Sequence, residues 1–87
     1  MLTIKEFKKT DTGYKLSVPS FTIDYPSFVF NLTELEDGII KITQEKSHNL
    51  IDNSTTDIMC MSLESALACV SQTIKYHANP YAINKFL

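Results

Sequence analysis

The sequence predicts an α+β domain. It has a four- or five-stranded, mainly antiparallel sheet over residues 1–61, one C-terminal amphipathic helix packed on one face over 62–78, and a tail at 79–87. Three observations lead there. Apolar and polar residues alternate with a period of two in several short runs of the first 61 residues. Clusters of turn-forming residues separate those runs. From Leu63 onward the apolar residues recur instead at three- and four-residue spacing, the period of a helix with one buried face.

Leu2 to Lys9 carries apolar and β-branched residues and stops at Thr10-Asp11-Thr12-Gly13, so it reads as a first strand. Tyr14, Leu16 and Val18 then alternate with Lys15 and Ser17 and should pair with it as a hairpin. Pro19-Ser20 interrupts the pattern, and Phe21, Ile23 and Tyr25 resume it. Because proline brings no amide hydrogen to a ladder, this piece is expected at a sheet edge. After Pro26, the residues Phe28, Phe30 and Leu32 share a face, and Glu36-Asp37-Gly38 supplies a turn.

Ile39 to Thr43 has the strongest strand propensity of the chain, with Ile40 and Ile42 facing one way and Ile39 and Lys41 the other. Ser47 to Thr55 is rich in Asn, Asp, Ser and Thr, whose side chains compete with the backbone for hydrogen bonds, and reads as a loop. Thr56 to Met61 forms a short final strand, with Ile58 and Cys60 on one side. Ser62 caps the helix and Glu64 lies in its first turn, where negative charge meets the positive end of the helix dipole. Leu63, Ala66, Leu67, Val70, Ile74 and either His77 or Ala78 form the buried stripe. Pro80 disfavours a helical backbone at Asn79 and ends the helix there.

Eighty-seven residues suffice for one core and not for two domains. A hydrophobic fraction of 44% with 21% charged residues is that of a chain able to fold. With no disulfide framework to add stability, burial of surface in a homodimer is compatible with the composition. The first residues, Met1 to Lys9, lack the apolar run of a signal peptide or membrane anchor, and two cysteines do not make a secreted scaffold, so no membrane association and a cytoplasmic location are expected. All eight basic residues are lysines and the formal charge is −2, which disfavours nucleic acid as a partner, since the bidentate guanidinium is missing. The same preference for Lys, Ile and Asn fits an AT-rich coding sequence such as a phage, a mobile element or a low-GC bacterium carries.

No pattern of catalysis or cofactor binding is present. Gly13 and Gly38 stand alone in separate turns, so there is no phosphate-cradling loop. Cys60, Cys69 and His77 match no zinc spacing, and a thiol nucleophile would need a base that only His48 or His77 could supply. Both cysteines read as small hydrophobes, Cys60 on a strand and Cys69 near the helix's buried face. Glu34, Glu36 and Asp37 occupy a turn where carboxylates are solvated. The serines are accounted for by capping and a polar helix face. No enzyme, no cofactor and no resident metal are therefore expected.

Gly13-Tyr14-Lys15-Leu16-Ser17-Val18-Pro19 and Ser62-Leu63-Glu64-Ser65-Ala66-Leu67 resemble the strand and helix signatures of HicB-type antitoxins. In that family the helix begins soon after the proline-containing segment, whereas roughly four strand lengths intervene here, so no property of the family is carried over.

The aromatic residues remain to be explained. Phe21, Tyr25, Phe28 and Phe30 gather around two prolines, and Tyr76, Tyr81 and Phe86 gather near the C-terminal end. Packing is the ordinary role of an aromatic side chain in a small domain, but Tyr81, Ile83, Phe86 and Leu87 must either fold back over the sheet or face a partner. Phe21, Tyr25, Tyr76, Tyr81 and Phe86 are accordingly the candidate partner-binding residues, with Phe21 to Tyr25 as a strand open to β-augmentation. The expected function is that of a small protein-interaction domain, an accessory protein of a phage or mobile element that binds and modulates a host component. The alternative is a domain binding a nucleotide or metabolite between sheet and helix or at a dimer interface, with Lys75, Tyr76 and His77 lining the pocket.

Overall fold

Alternation with a period of two gives each strand one apolar face, and consecutive strands joined by short turns bring those faces together. The computed structural model describes residues 2–48 and 52–87. It shows a five-stranded antiparallel meander in sequence order: β1 (Lys8–Lys9), β2 (Gly13–Val18), β3 (Ser27–Glu34), β4 (Ile40–His48) and β5 (Asp52–Cys60). The register mostly matches apolar to apolar on the buried face, although Phe30 and Phe28 lie opposite Gln44 and Lys46 of β4. Leu16 lies opposite Phe30, Val18 opposite Phe28, Leu32 opposite Ile42, and Ile40 opposite Cys60. Within β3 the rings of Phe28 and Phe30, two residues apart and so on one face, stack with centroids 5.7 Å apart.

Two helices follow, α1 (Leu63–His77) and α2 (Pro80–Phe86). The Ser62 hydroxyl accepts a hydrogen bond from the Ser65 amide at 3.1 Å, the N-cap that the sequence indicates. Ala66, Val70 and Ile74, four residues apart in turn, are buried and join the sheet's apolar face in one core with Leu2, Phe7, Ala78 and Ala82. Complete burial of side chains such as Phe30 or Ile74 contributes about 1.5–3 kcal/mol each before the entropy of ordering is counted. Among the described residues no helix is long and apolar enough to cross a membrane.

Four local expectations are corrected. Leu2 to Lys9 is not one strand, because Ile4–Glu6 forms a 3-10 turn and only Lys8–Lys9 pairs. Leu2 and Phe7 are both buried, and in an extended strand residues five apart would point to opposite faces, so the turn is what lets both reach the core. Phe21 to Tyr25 is not an edge strand. It lies in an irregular loop over 19–26, and the sheet edges are β1 and β5. The polar stretch read as a loop from Ser47 to Thr55 is largely strand. β4 runs to His48 and β5 begins at Asp52, with residues 49–51 outside the described set. Cross-strand pairing outweighs the turn preference of these residues, as where the Ser47 hydroxyl donates to Asn53 Oδ1 at 2.7 Å.

The fourth correction concerns the C-terminus, which is a second helix rather than a tail, so the sheet is followed by two helices and not one. The signal is local. Asn79 is the N-cap, its Oδ1 accepting from the Tyr81 amide at 2.8 Å, and Pro80 stands at the first helical position, where a missing amide hydrogen costs nothing. The proline that ends α1 also begins α2.

At the start of β2, a Cβ added to Gly13 would overlap the backbone carbonyl of Leu32 on the neighbouring strand. Gly13→Ala is therefore expected to force β2 and β3 apart and destabilise the protein by about 1–3 kcal/mol. Met59→Ala, at a side chain 64% exposed, should change stability by roughly 0.5 kcal/mol or less. Urea titration followed by circular dichroism measures both.

Candidate functional site

The loop over 19–26 leaves the sheet because its prolines and its backbone geometry cannot continue a ladder. Phe21 has φ 62°, in the left-handed region that an aromatic side chain avoids. A conformation of that kind persists only where neighbouring groups fix it. Two sets of contacts do so here. The Asn79 amide nitrogen donates to the Ser20 carbonyl at 3.1 Å and lies 3.4 Å from the Thr22 hydroxyl. His48 Nε2 lies 3.1 Å from the Ile23 carbonyl, which can only accept, so the imidazole carries its proton on Nε2. Just after the loop, where β3 begins, the Ser27 hydroxyl donates to the carbonyl of its ladder partner Ser47 at 3.3 Å.

Asn79 joins the loop to α2. Its carbonyl oxygen caps the helix while its amide nitrogen holds a segment 59 positions earlier in the chain, and at 7% exposure the side chain is well shielded from water. The shared residue sets Tyr81, in the first turn of α2, against Phe21. Their rings meet edge to face at 61°, with centroids 4.9 Å apart. Phe21 then lines two adjoining grooves, one with Ile23 and Tyr25 and the other with Tyr81, Asn84 and Lys85.

The outcome is an apolar surface fixed by polar contacts. Phe21, Tyr25 and Tyr81 are exposed at 42%, 36% and 63%, and Ile23 reaches 82%. Three of the five sequence candidates thus meet at one surface. Ile23 and Asn79 belong with them and were not singled out from the sequence. Ile23 was masked by the strand-like alternation of its segment, whereas Asn79 could have been found from the Asn-Pro pair that marks a helix start.

The remaining two candidates lie elsewhere. Tyr76 is exposed on α1 with Lys75 Nζ 5.6 Å from its ring centre, and it lines a separate open groove with Cys69, Gln72, Thr73 and His77. Phe86 is half-buried against the core, with Lys85 Nζ 5.4 Å from its ring centre. Of the residues named for a ligand pocket, Tyr76 and His77 face this open groove on α1, while the space between α1 and the sheet is occupied by Val70, Ile74 and the apolar strand residues. Among the described residues, no group of three or more His, Cys, Asp or Glu is arranged to hold a metal. Glu34, Glu36 and Asp37 are exposed at the β3–β4 turn.

Replacing Asn79 with Ala removes the cap of α2 and the anchor of the loop together. Asn79→Ala is expected to cost about 1–3 kcal/mol, and amide hydrogen exchange should accelerate at Tyr81, Thr22 and Ile23 while Phe30 and Ile42 keep their protection relative to global stability. Exchange followed by NMR reads each amide separately.

Comparison of the chain with protein-family models, with curated proteins and with solved structures finds no match, and its function is therefore argued from the geometry of this surface.

Proposed function

We propose that the chain is a non-enzymatic protein-interaction domain that docks a protein partner on the surface formed by Phe21, Ile23, Tyr25 and Tyr81. One observation carries the reading. The protein holds a bulky residue in a left-handed conformation, at a cost of about 1–2 kcal/mol, and uses the resulting loop to present apolar side chains to water. Core packing does not account for Ile23, which is the most exposed large apolar residue among those described. Aromatic anchors ringed by polar groups are the composition from which interface centres are built, here with Thr22, Asp24, Asn84 and Lys85 at the margin. Because the loop is anchored beforehand, little ordering entropy would oppose binding.

The sheet edges do not compete for this role. β1 consists of two lysines, and β5 carries Asp52 and Asp57 on an exposed polar stretch, both of which discourage edge-to-edge addition. Recognition through side chains on the loop and α2 replaces the strand addition that the sequence suggests at Phe21 to Tyr25.

Ile23→Asp places a charge on the surface without touching the core. It should weaken partner binding at least about tenfold, a loss of about 1.4 kcal/mol, and leave the urea midpoint unchanged. Tyr76→Ala, on the separate groove, should leave binding intact. The experiment is comparative capture from cell extract with wild type and both variants, followed by titration calorimetry with the protein recovered. Light scattering over a concentration series determines whether that partner is a second copy of the chain. Binding that survives Ile23→Asp, or that is lost equally in Tyr76→Ala, would overturn the proposal.

A further inference from the structure

A further groove lies at the β1 edge of the sheet, and its chemistry is cationic. Lys8 of β1, Lys15 of β2 and Lys85 of α2 line it with the side chains of Thr10 and Ser17, and Glu6 is the one carboxylate among its lining residues. Lys8 and Lys15 are ladder partners, so two like charges stand directly opposite one another, an arrangement that costs stability. Among the described residues no ion pair neutralises these lysines. The chain as a whole carries a formal charge of −2, so the groove opposes the sign of the molecule around it.

We infer that this groove takes an acidic peptide segment of the protein partner, with carboxylate side chains set against Lys8, Lys15 and Lys85. The inference rests on the docking surface proposed above, and Lys85 makes the connection, because it lines this groove and also the one formed with Phe21, Tyr81 and Asn84. A chain seated on the apolar surface therefore reaches the lysines without leaving the protein. Its sequence places acidic residues beside the apolar anchors, and charge complementarity fixes its direction across the surface.

Backbone geometry favours a peptide over a free ion. The Thr10 amide donates to the Gly13 carbonyl at 2.8 Å, so the backbone groups of Gly13, and by alternation those of Lys15 and Ser17, point to the β1 side of β2. β1 pairs only as far as Lys8, opposite Lys15, so Ser17 turns its amide and carbonyl to a side where, among the described residues, no strand lies. An extended segment can bond there through its own backbone. Lysines at a sheet edge repel a second copy of the same edge, and the same charge attracts an acidic chain. Edge protection alone does not explain Lys85, which arrives from a helix.

The test uses the full chain, isotope-labelled for NMR, with hexaglutamate as the probe at about 0.01 M salt. Amide shifts should concentrate at Lys8, Lys15, Ser17 and Lys85. Hexalysine should give none, and raising the salt to about 0.15 M should weaken binding. Lys15→Glu and Lys85→Glu should each lower the affinity for hexaglutamate at least about fivefold, whereas Lys75→Glu on α1 should leave it unchanged. Lys15→Glu replaces a like-charge pair with an opposite-charge one, so its urea midpoint should hold or rise, and lost binding is then not unfolding. Inorganic phosphate at the same ionic strength should bind more weakly. Absent shifts, shifts spread evenly over all eight lysines, binding that survives both reversals, or phosphate bound as tightly as hexaglutamate would each overturn the inference. Hexaglutamate carries no apolar anchor, so its failure counts against the lysine groove alone, and the apolar surface is judged separately by Ile23→Asp.

Discussion

One face of the sheet has to be removed from water, and the other arrangements of the molecule follow from that. Leu16, Val18, Phe28, Phe30, Leu32, Ile40 and Ile42 lie on this face across three adjacent strands. A helix of 15 residues, about 22 Å long, covers part of it with Ala66, Val70 and Ile74. The remainder is closed by Leu2 and Phe7 from the first turn and by Ala78 and Ala82 around the start of α2. The two short pieces at the ends of the chain thus complete a single core. Small residues at Ala66, Ala78 and Ala82 are fully or nearly fully buried, which lets helical backbone approach bulky sheet residues without a void.

Where the apolar set stops, the architecture changes. In β4 the core-facing positions after Ile42 are Gln44, Lys46 and His48, and their partners in β5 are Thr56, Ser54 and Asp52. Gln44 and Lys46 still lie beside the buried Phe30 and Phe28 of β3, whereas Asp52 to Asp57 of the edge strand β5 are all exposed. The Ser47 hydroxyl adds a side-chain bond to Asn53 beside the ladder there. The ion pair there, Lys46 to Asp52 at 3.9 Å, is exposed and contributes little.

Much of this was legible in the sequence and some was not, for identifiable reasons. β2, β3, the apolar half of β4 and α1 were readable because burial on one side writes its period into the residues. The Ser62 cap was readable because capping is local chemistry. The polar half of the hairpin was not, since Asn53, Ser54 and Thr55 prefer turns alone and become strand only when a partner strand is present. The segment from Phe21 to Tyr25 has the alternation of a strand without its structure, because nothing in a period of two reveals a left-handed residue at Phe21. Sequence singled out Phe21, Tyr25 and Tyr81 as aromatics in search of a role, yet could not show that they meet, since their meeting depends on an asparagine 59 positions from the loop it holds.

The end of β4 and the start of α2 act on the same loop from two sides. His48, at the end of β4, holds the loop through the Ile23 carbonyl, while Asn79 holds it through Ser20 and Thr22. A flexible loop could expose the same side chains with no left-handed residue and no clamp, but a partner would then have to order it on binding. Fixing the loop in the unbound protein transfers that ordering cost to folding, where the core of sheet and helices can absorb it. Backbone strain at Phe21 and a buried bifunctional Asn79 are two separate features, and pre-organisation of one exposed apolar surface accounts for both.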